Sequence, residues 1–115
     1  MTTITKTRRY PRIGLPRGPY VAWQGPGERL VSRVAMMGMG GLFISTNSPA
    51  PVGENLRLYF EIPGGDVRAR AIVRNVEEKG RGVEFVAMGQ EQRARLHRLL
   101  SRLLAEPGEL KDEKN

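Results

Sequence analysis

Residues 56–76 read LRLYFEIPGGDVRARAIVRNV, two alternating runs around a turn. In the first run Leu56, Leu58, Phe60 and Ile62 share one side, and Arg57, Tyr59 and Glu61 take the other. In the second run Val67, Ala69, Ala71 and Val73 stand opposite Arg68, Arg70, Ile72 and Arg74. A period of two is the signature of a half-buried strand, because successive side chains leave a pleated backbone on opposite faces. The intervening PGGD is a hairpin signal. Outward from this pair, EEKGRG (77–82) turns the chain into a short strand at 82–87, GVEFVA. On the other side lies a turn-rich loop at 46–55, TNSPAPVGEN, preceded by strands at 42–45, 28–37 and 19–24. GMGG at 38–41 is expected to be a tight hairpin that uses the positive-φ freedom of glycine.

Residues 90–105 change period. Leu96, Leu99, Leu100 and Leu103 recur at three- and four-residue spacing, with Arg93, Arg95, Arg98 and Arg102 over much of the remaining surface. That pattern predicts an amphipathic helix, stopped by Pro107 and Gly108. Six short strands followed by one helix predict a mainly β protein, a six-stranded antiparallel barrel with a C-terminal α-helix across one opening. Residues 1–7 and 106–115 read as tails around a single domain at 8–105. Residues 8–18, rich in Arg, Pro and Gly, read as extended loop.

Composition narrows the chemistry. The 115 residues contain no cysteine and one histidine, His97. Thiolate metal sites, disulfides and histidine-rich metal sites therefore lack their parts. No nucleophile–base pair or carboxylate pair is visible, and Asp66, Glu77 and Glu78 fall in predicted turns, so an enzyme is not expected. No apolar run reaches the ~20 residues of a membrane span. The basic N-terminus lacks the apolar segment of a secretory signal, and a cytoplasmic setting is expected. The net charge of +7 is uneven. Lys6, Arg8, Arg9, Arg12, Arg17, Arg29 and Arg33 face only Glu28 in residues 1–35, which leaves the first third at +6. An anionic partner near that end is implied. Few aromatic residues remain for base stacking once a core is filled, which argues against a general nucleic-acid binder.

Two stretches carry the specific signal. RRYPR, residues 8–12, spaces Arg8 and Arg12 four apart in a proline-restrained segment. Guanidiniums hold phosphates through paired N–H bonds and stack on purines. VAMMGMGGLFIST, residues 34–46, sets a glycine cluster between two strands, as a plain hairpin or as a place where backbone approaches a flat ligand. With GVEF at 82–85, and in this order, they resemble the PilZ family over roughly residues 8–104. That family has an RxxxR motif before the first strand, a D/N-x-S-x-x-G motif running into a strand often reading GGLF, a late G-V-x-F strand and a C-terminal helix. The resemblance implies a six-stranded barrel and cyclic di-GMP as the ligand, with no other cofactor. It carries the first motif onto Arg8 and Arg12, and the second onto Met36, Gly38 and Gly41, with Gly40 in the same turn. Only Gly41 matches that second motif. Met36 stands where the family has an acceptor for the guanine Watson–Crick edge, and Gly38 stands where it has a serine. Losing two good hydrogen bonds weakens binding by about two to four orders of magnitude unless other groups replace them.

Arg33, Arg9 and Arg17 are candidates for a replacement contact or for solvated surface. Trp23 is a stacking platform or core, and Met36, Met37 and Met39 are a contact surface or barrel filling. Two functions stay open: a receptor that signals through ligand-dependent contacts with a protein partner, and an adaptor that has lost the nucleotide. A homodimer also stays open.

Overall fold

A computed structural model describes residues 12–14 and 18–105 of the chain, with Arg12 described through its backbone alone. Its elements follow the periodicity. The 56–76 hairpin is β5 (Asn55–Ile62) and β6 (Gly65–Glu77), and Leu56, Leu58, Phe60, Ile62, Val67, Ala69, Ala71 and Val73 are all buried. Its turn needs glycine, since Gly64 and Gly65 have φ of 103° and 141°. β7 (Gly80–Met88) returns along β6 with register shifts between Arg70 and Ala71 and between Val73 and Asn75. Such bulges bend a strand and increase its twist. They let the thirteen-residue β6 wrap around a small barrel.

The ring continues from β7 to β4 (Gly41–Ser45), from β4 to β3 (Arg29–Gly38), from β3 to β2 (Tyr20–Gln24), and closes from β2 onto β5. All of these pairings are antiparallel. The architecture is therefore the expected closed six-stranded barrel with one C-terminal helix. Closure leaves no long unpaired edge. The core follows the registers across the sheet: Ile13, Met37, Leu42, Val83 and Val73 lie in one buried line through four pairings. Trp23 is core, 3% exposed, and its Nε1–H donates to Ser32 Oγ at 3.0 Å.

Helix α1 (Gln90–Ala105) buries Leu96 and Leu100 and half-buries Leu99 and Leu103 against β6 and the segment before β2. Arg93, Arg98 and Arg102 face solvent. Arg95 does not: it lies over Gly65, and its Nη1 donates to the Asp66 carbonyl at 2.6 Å. The missing Cβ at position 65 is what admits that guanidinium, which ties the helix to the β5–β6 hairpin.

Three expectations need correction. Residues 12–14 are not loop but a short strand, β1 (Arg12–Gly14), on the edge of β3 beyond β2. Three residues are too few for periodicity to register, yet Ile13 is buried in the core. Asp66 and Glu77 lie in β6 rather than in turns. Arg81, expected in a turn, is in β7 and only 9% exposed. Its Nε donates to the Ala50 carbonyl at 3.0 Å, and its Nη1 to the carbonyls of Glu77 and Gly80 at 2.8 Å each. This guanidinium pins the 46–54 loop to the end of the barrel. Arg81→Met keeps the stem and removes the donors, so it is expected to cost about 3 kcal/mol, read as a lower urea midpoint with unchanged slope.

Candidate functional site

At the bend between β3 and β4 the glycine stretch lies beside β1, whose first residue is the last of RRYPR. β1 runs antiparallel to the end of β3, with Arg12 opposite Gly38, Ile13 opposite Met37 and Gly14 opposite Met36. The leading arm therefore reaches the glycine bend through its backbone. A register shift between Val34 and Met36 then puts Met36 opposite Phe43 and Met37 opposite Leu42. Met37 and Leu42 point inward and are 1% exposed. By alternation Met36 and Phe43 take the outer face, where both are half-buried.

The glycines of the bend are not there for positive φ. Among the described residues the positive-φ glycines are Gly53, Gly64 and Gly65. Gly41 is needed for close approach: a Cβ on it would lie 1.9 Å from the Val83 carbonyl oxygen. The same closeness appears next door, where the Gly40 carbonyl accepts the Phe85 N–H at 2.8 Å. A Cβ on Gly80 would lie 2.1 Å from the Phe43 ring, so that ring lies flat against β7. Gly14 is exposed with nothing near its would-be Cβ, and Gly38 and Gly40 carry no side chain, so the outer surface at the bend has few side chains and is bordered by Met36 and Phe43, whose ring covers Gly80 and Gly82.

Two charged residues flank this surface that the sequence did not bring to it. Glu84 is opposite Gly41 across β4–β7. Arg74, in the β6 bulge, donates to Glu84 Oε1 at 2.6 Å, and both side chains are about half exposed. The stretch around Glu84 carried no chemistry in the sequence. The alternation in GVEF marked it only as outward-facing, and the closing of the barrel puts it beside the bend.

Arg33 is placed differently. Its Nη1 donates to the Gly18 carbonyl at 2.8 Å, and its guanidinium lies 4.3 Å from the centre of the Tyr20 ring. It is five residues from Gly38 along β3, about 16 Å at strand rise. Met36, Gly38, Gly40, Gly41 and the Arg12 backbone are brought together, and Arg33 is not. Arg8, Arg9 and Arg17 lie outside the described residues, as do 1–7, 106–115, Pro107 and Gly108. Among the described residues no group of three or more His, Cys, Asp or Glu is placed to hold a metal ion. No helix among them is long and apolar enough to cross a membrane.

Comparison with known proteins follows the same lines. The family model described as PilZ domain matches residues 6–102. No curated protein matches the chain in sequence. Among solved structures, the PilZ domain with c-di-GMP of YcgR from Escherichia coli superposes with a TM-score of 0.70 at 19% identity, covering 91% of this chain and 97% of that one. The Bacillus subtilis inhibitor of motility, MotI/DgrA, gives 0.71 at 23% identity, over 86% of this chain and 52% of that one. The K. pneumonia MrkH–c-di-GMP complex gives 0.71 at 18% identity, over 88% of this chain and 53% of that one. The chain spans about half the length of those last two proteins. At these identities the superpositions speak for the barrel, and the family model covers most of the sequence: the chain belongs to the PilZ domain family.

Proposed function

We propose that the chain is a non-catalytic, cytoplasmic receptor for cyclic di-GMP that passes the signal on through contacts with a protein partner. The observation that carries this reading is the pairing of Arg12 with Gly38, which joins the arginine-bearing arm to the glycine surface. A surface with few side chains admits a flat purine, and guanidiniums arriving from one edge suit its phosphates. Three of the structural neighbours support the ligand, since YcgR, its isolated PilZ domain and MrkH are described as complexes with c-di-GMP.

Met36 and Gly38 leave the guanine edge without its usual acceptor, and Glu84, opposite Gly41, supplies a carboxylate beside the bend. Its Oε1 is held by Arg74, and its other oxygen is available to accept from guanine N–H groups. Nucleotide bound at the bend then changes the surface that a partner sees, and the ligand's differential affinity for the two states sets the size of that shift.

Isothermal titration of the full chain with cyclic di-GMP is expected to give saturable heat. Arg12→Ala and Glu84→Ala are each expected to weaken binding by about tenfold or more, the equivalent of one charge-assisted contact. The substitutions at positions 36 and 38 favour a second reading, an adaptor that no longer takes the nucleotide. Absence of both heat and thermal shift at high ligand concentration would select it.

A further inference from the structure

The outer faces of β2, β5, β6 and β7 carry an open cleft of about 790 Å³ whose lining shares no residue with the glycine bend. Its polar residues follow the registers across four strands. Arg29 is opposite Gln24, Gln24 is opposite Arg57, and Arg57 is opposite Arg70. At about 4.8 Å between strands this line is about 14 Å long. Among the described residues no carboxylate lies within ion-pair distance of Arg29, Arg57 or Arg70. Arg57 and Arg70 stand directly across from each other, and like charges in that relation destabilise a sheet. An anion between them would remove the repulsion.

The rest of the lining narrows the anion's chemistry. Ala22, Ala87 and Met88 give the cleft small and apolar ground beside the row: Ala22 is two residues from Gln24 along β2, and Ala87 is opposite Arg70 at the end of the row. Tyr59 is its one aromatic residue besides the core Trp23, and both ends of Tyr59 are engaged. Its hydroxyl donates to Glu61 at 2.9 Å, and the Arg68 guanidinium lies 5.2 Å from its ring centre. The Glu61 contact, the first of several causes, raises the phenol's pKa, so the hydroxyl stays protonated at neutral pH. With Trp23 in the core, Tyr59 is the single aromatic side chain there, and single-stranded nucleic acid stacks successive bases on several. Three guanidiniums in a row with the Gln24 amide between two of them offer paired N–H donors and a backbone-like hydrogen-bonding group, which suits an extended acidic peptide.

We infer that this cleft docks an extended acidic segment of a protein partner, with two carboxylates four residues apart. In an extended chain residues i, i+2 and i+4 share a face, and i to i+4 spans about 14 Å. One carboxylate then meets Arg29, the other meets Arg57 and Arg70, and the residue between them passes over Gln24. Guanidinium forks hold carboxylates through two parallel bonds. The inference gives a surface to the partner half of the proposed function and does not depend on nucleotide binding.

The test uses the full chain and a fluorescein-labelled peptide GESLSEG, read by anisotropy. Wild type is expected to bind saturably, with Kd on the order of 10–100 µM. Arg57→Glu with Arg70→Glu is expected to weaken it at least about tenfold, while Arg93→Glu with Arg102→Glu, the same charge change on the helix, leaves it unchanged. Should the Glu pair fail to show a cooperative melt, Arg57→Gln with Arg70→Gln answers the same question without adding acids. Equal binding of GQSLSQG, equal loss in the helix variant, or tighter binding of a labelled oligothymidine would each overturn the inference. Cyclic di-GMP titration of the Arg57/Arg70 variants separates the two sites. Peptide binding without nucleotide binding removes the receptor reading alone, and the reverse removes this one alone.

Discussion

Met36→Asp combined with Gly38→Ser is expected to raise the affinity for cyclic di-GMP by about two to four orders of magnitude. Position 36 lies on the outer face of β3, between Gly14 on one side and Phe43 on the other, directly beside the point where Arg12 joins. A carboxylate there gains a guanine edge to accept from, where a thioether offers only a weak acceptor. Position 38 has no positive φ, so a serine meets no backbone strain. The new carboxylate adds negative charge near Glu84, and the Arg74 guanidinium already bonded to Glu84 offsets it. Isothermal titration of the double variant against wild type makes the comparison. A gain well below tenfold would mean that the nucleotide does not sit on this bend.

Gly41→Ala is expected to destabilise the barrel by about 3 kcal/mol, the upper part of the range for overpacking. The added Cβ falls 1.9 Å from the Val83 oxygen, 3.0 Å from the Val83 carbonyl carbon and 3.1 Å from the Glu84 Cα. All three are backbone atoms of β7, and the ladder to β4 holds them, so no side chain can swing away. Relief requires β4 and β7 to part at one of the seams that close the ring. A loss of that size is a large share of the roughly 5–15 kcal/mol that stabilises a domain. Gly27→Ala is the control. Nothing lies within 4 Å of its would-be Cβ, and its φ is not positive. It is expected to stay within about 0.5 kcal/mol of wild type. Denaturant midpoints for the two variants decide the matter, and equal midpoints would remove the close-approach explanation of Gly41.

The candidate site was half legible before any coordinates. Met36, Gly38, Gly40 and Gly41 are contiguous, so a motif finds them together, and the four-residue spacing in RRYPR marks Arg8 and Arg12. Glu84 and Arg74 were invisible because they come from strands far along the chain. Arg33, left open between a replacement contact and solvated surface, shows the limit of nearness in sequence. Its nearness to the bend in sequence suggested a contact, yet in a strand each residue adds about 3.3 Å, and its guanidinium is taken up by Gly18 and Tyr20.

By itself the sequence determined the two-residue alternation, and with it which side chains of β5 and β6 face the core, as well as the helix stripe of Leu96 and Leu100. Those properties are local: a pleat or a helical turn sorts neighbours along one segment by hydrophobicity. Tertiary structure alone decided which strands lie side by side beyond the hairpins that the turns mark. Closing the ring set Glu84 opposite Gly41, turned Arg81 inward to hold three carbonyls, and aligned Arg29, Arg57 and Arg70 in one row. Lateral neighbours depend on register and on closure of the whole barrel, where contributions from every strand are summed, and no single stretch of chain contains that sum.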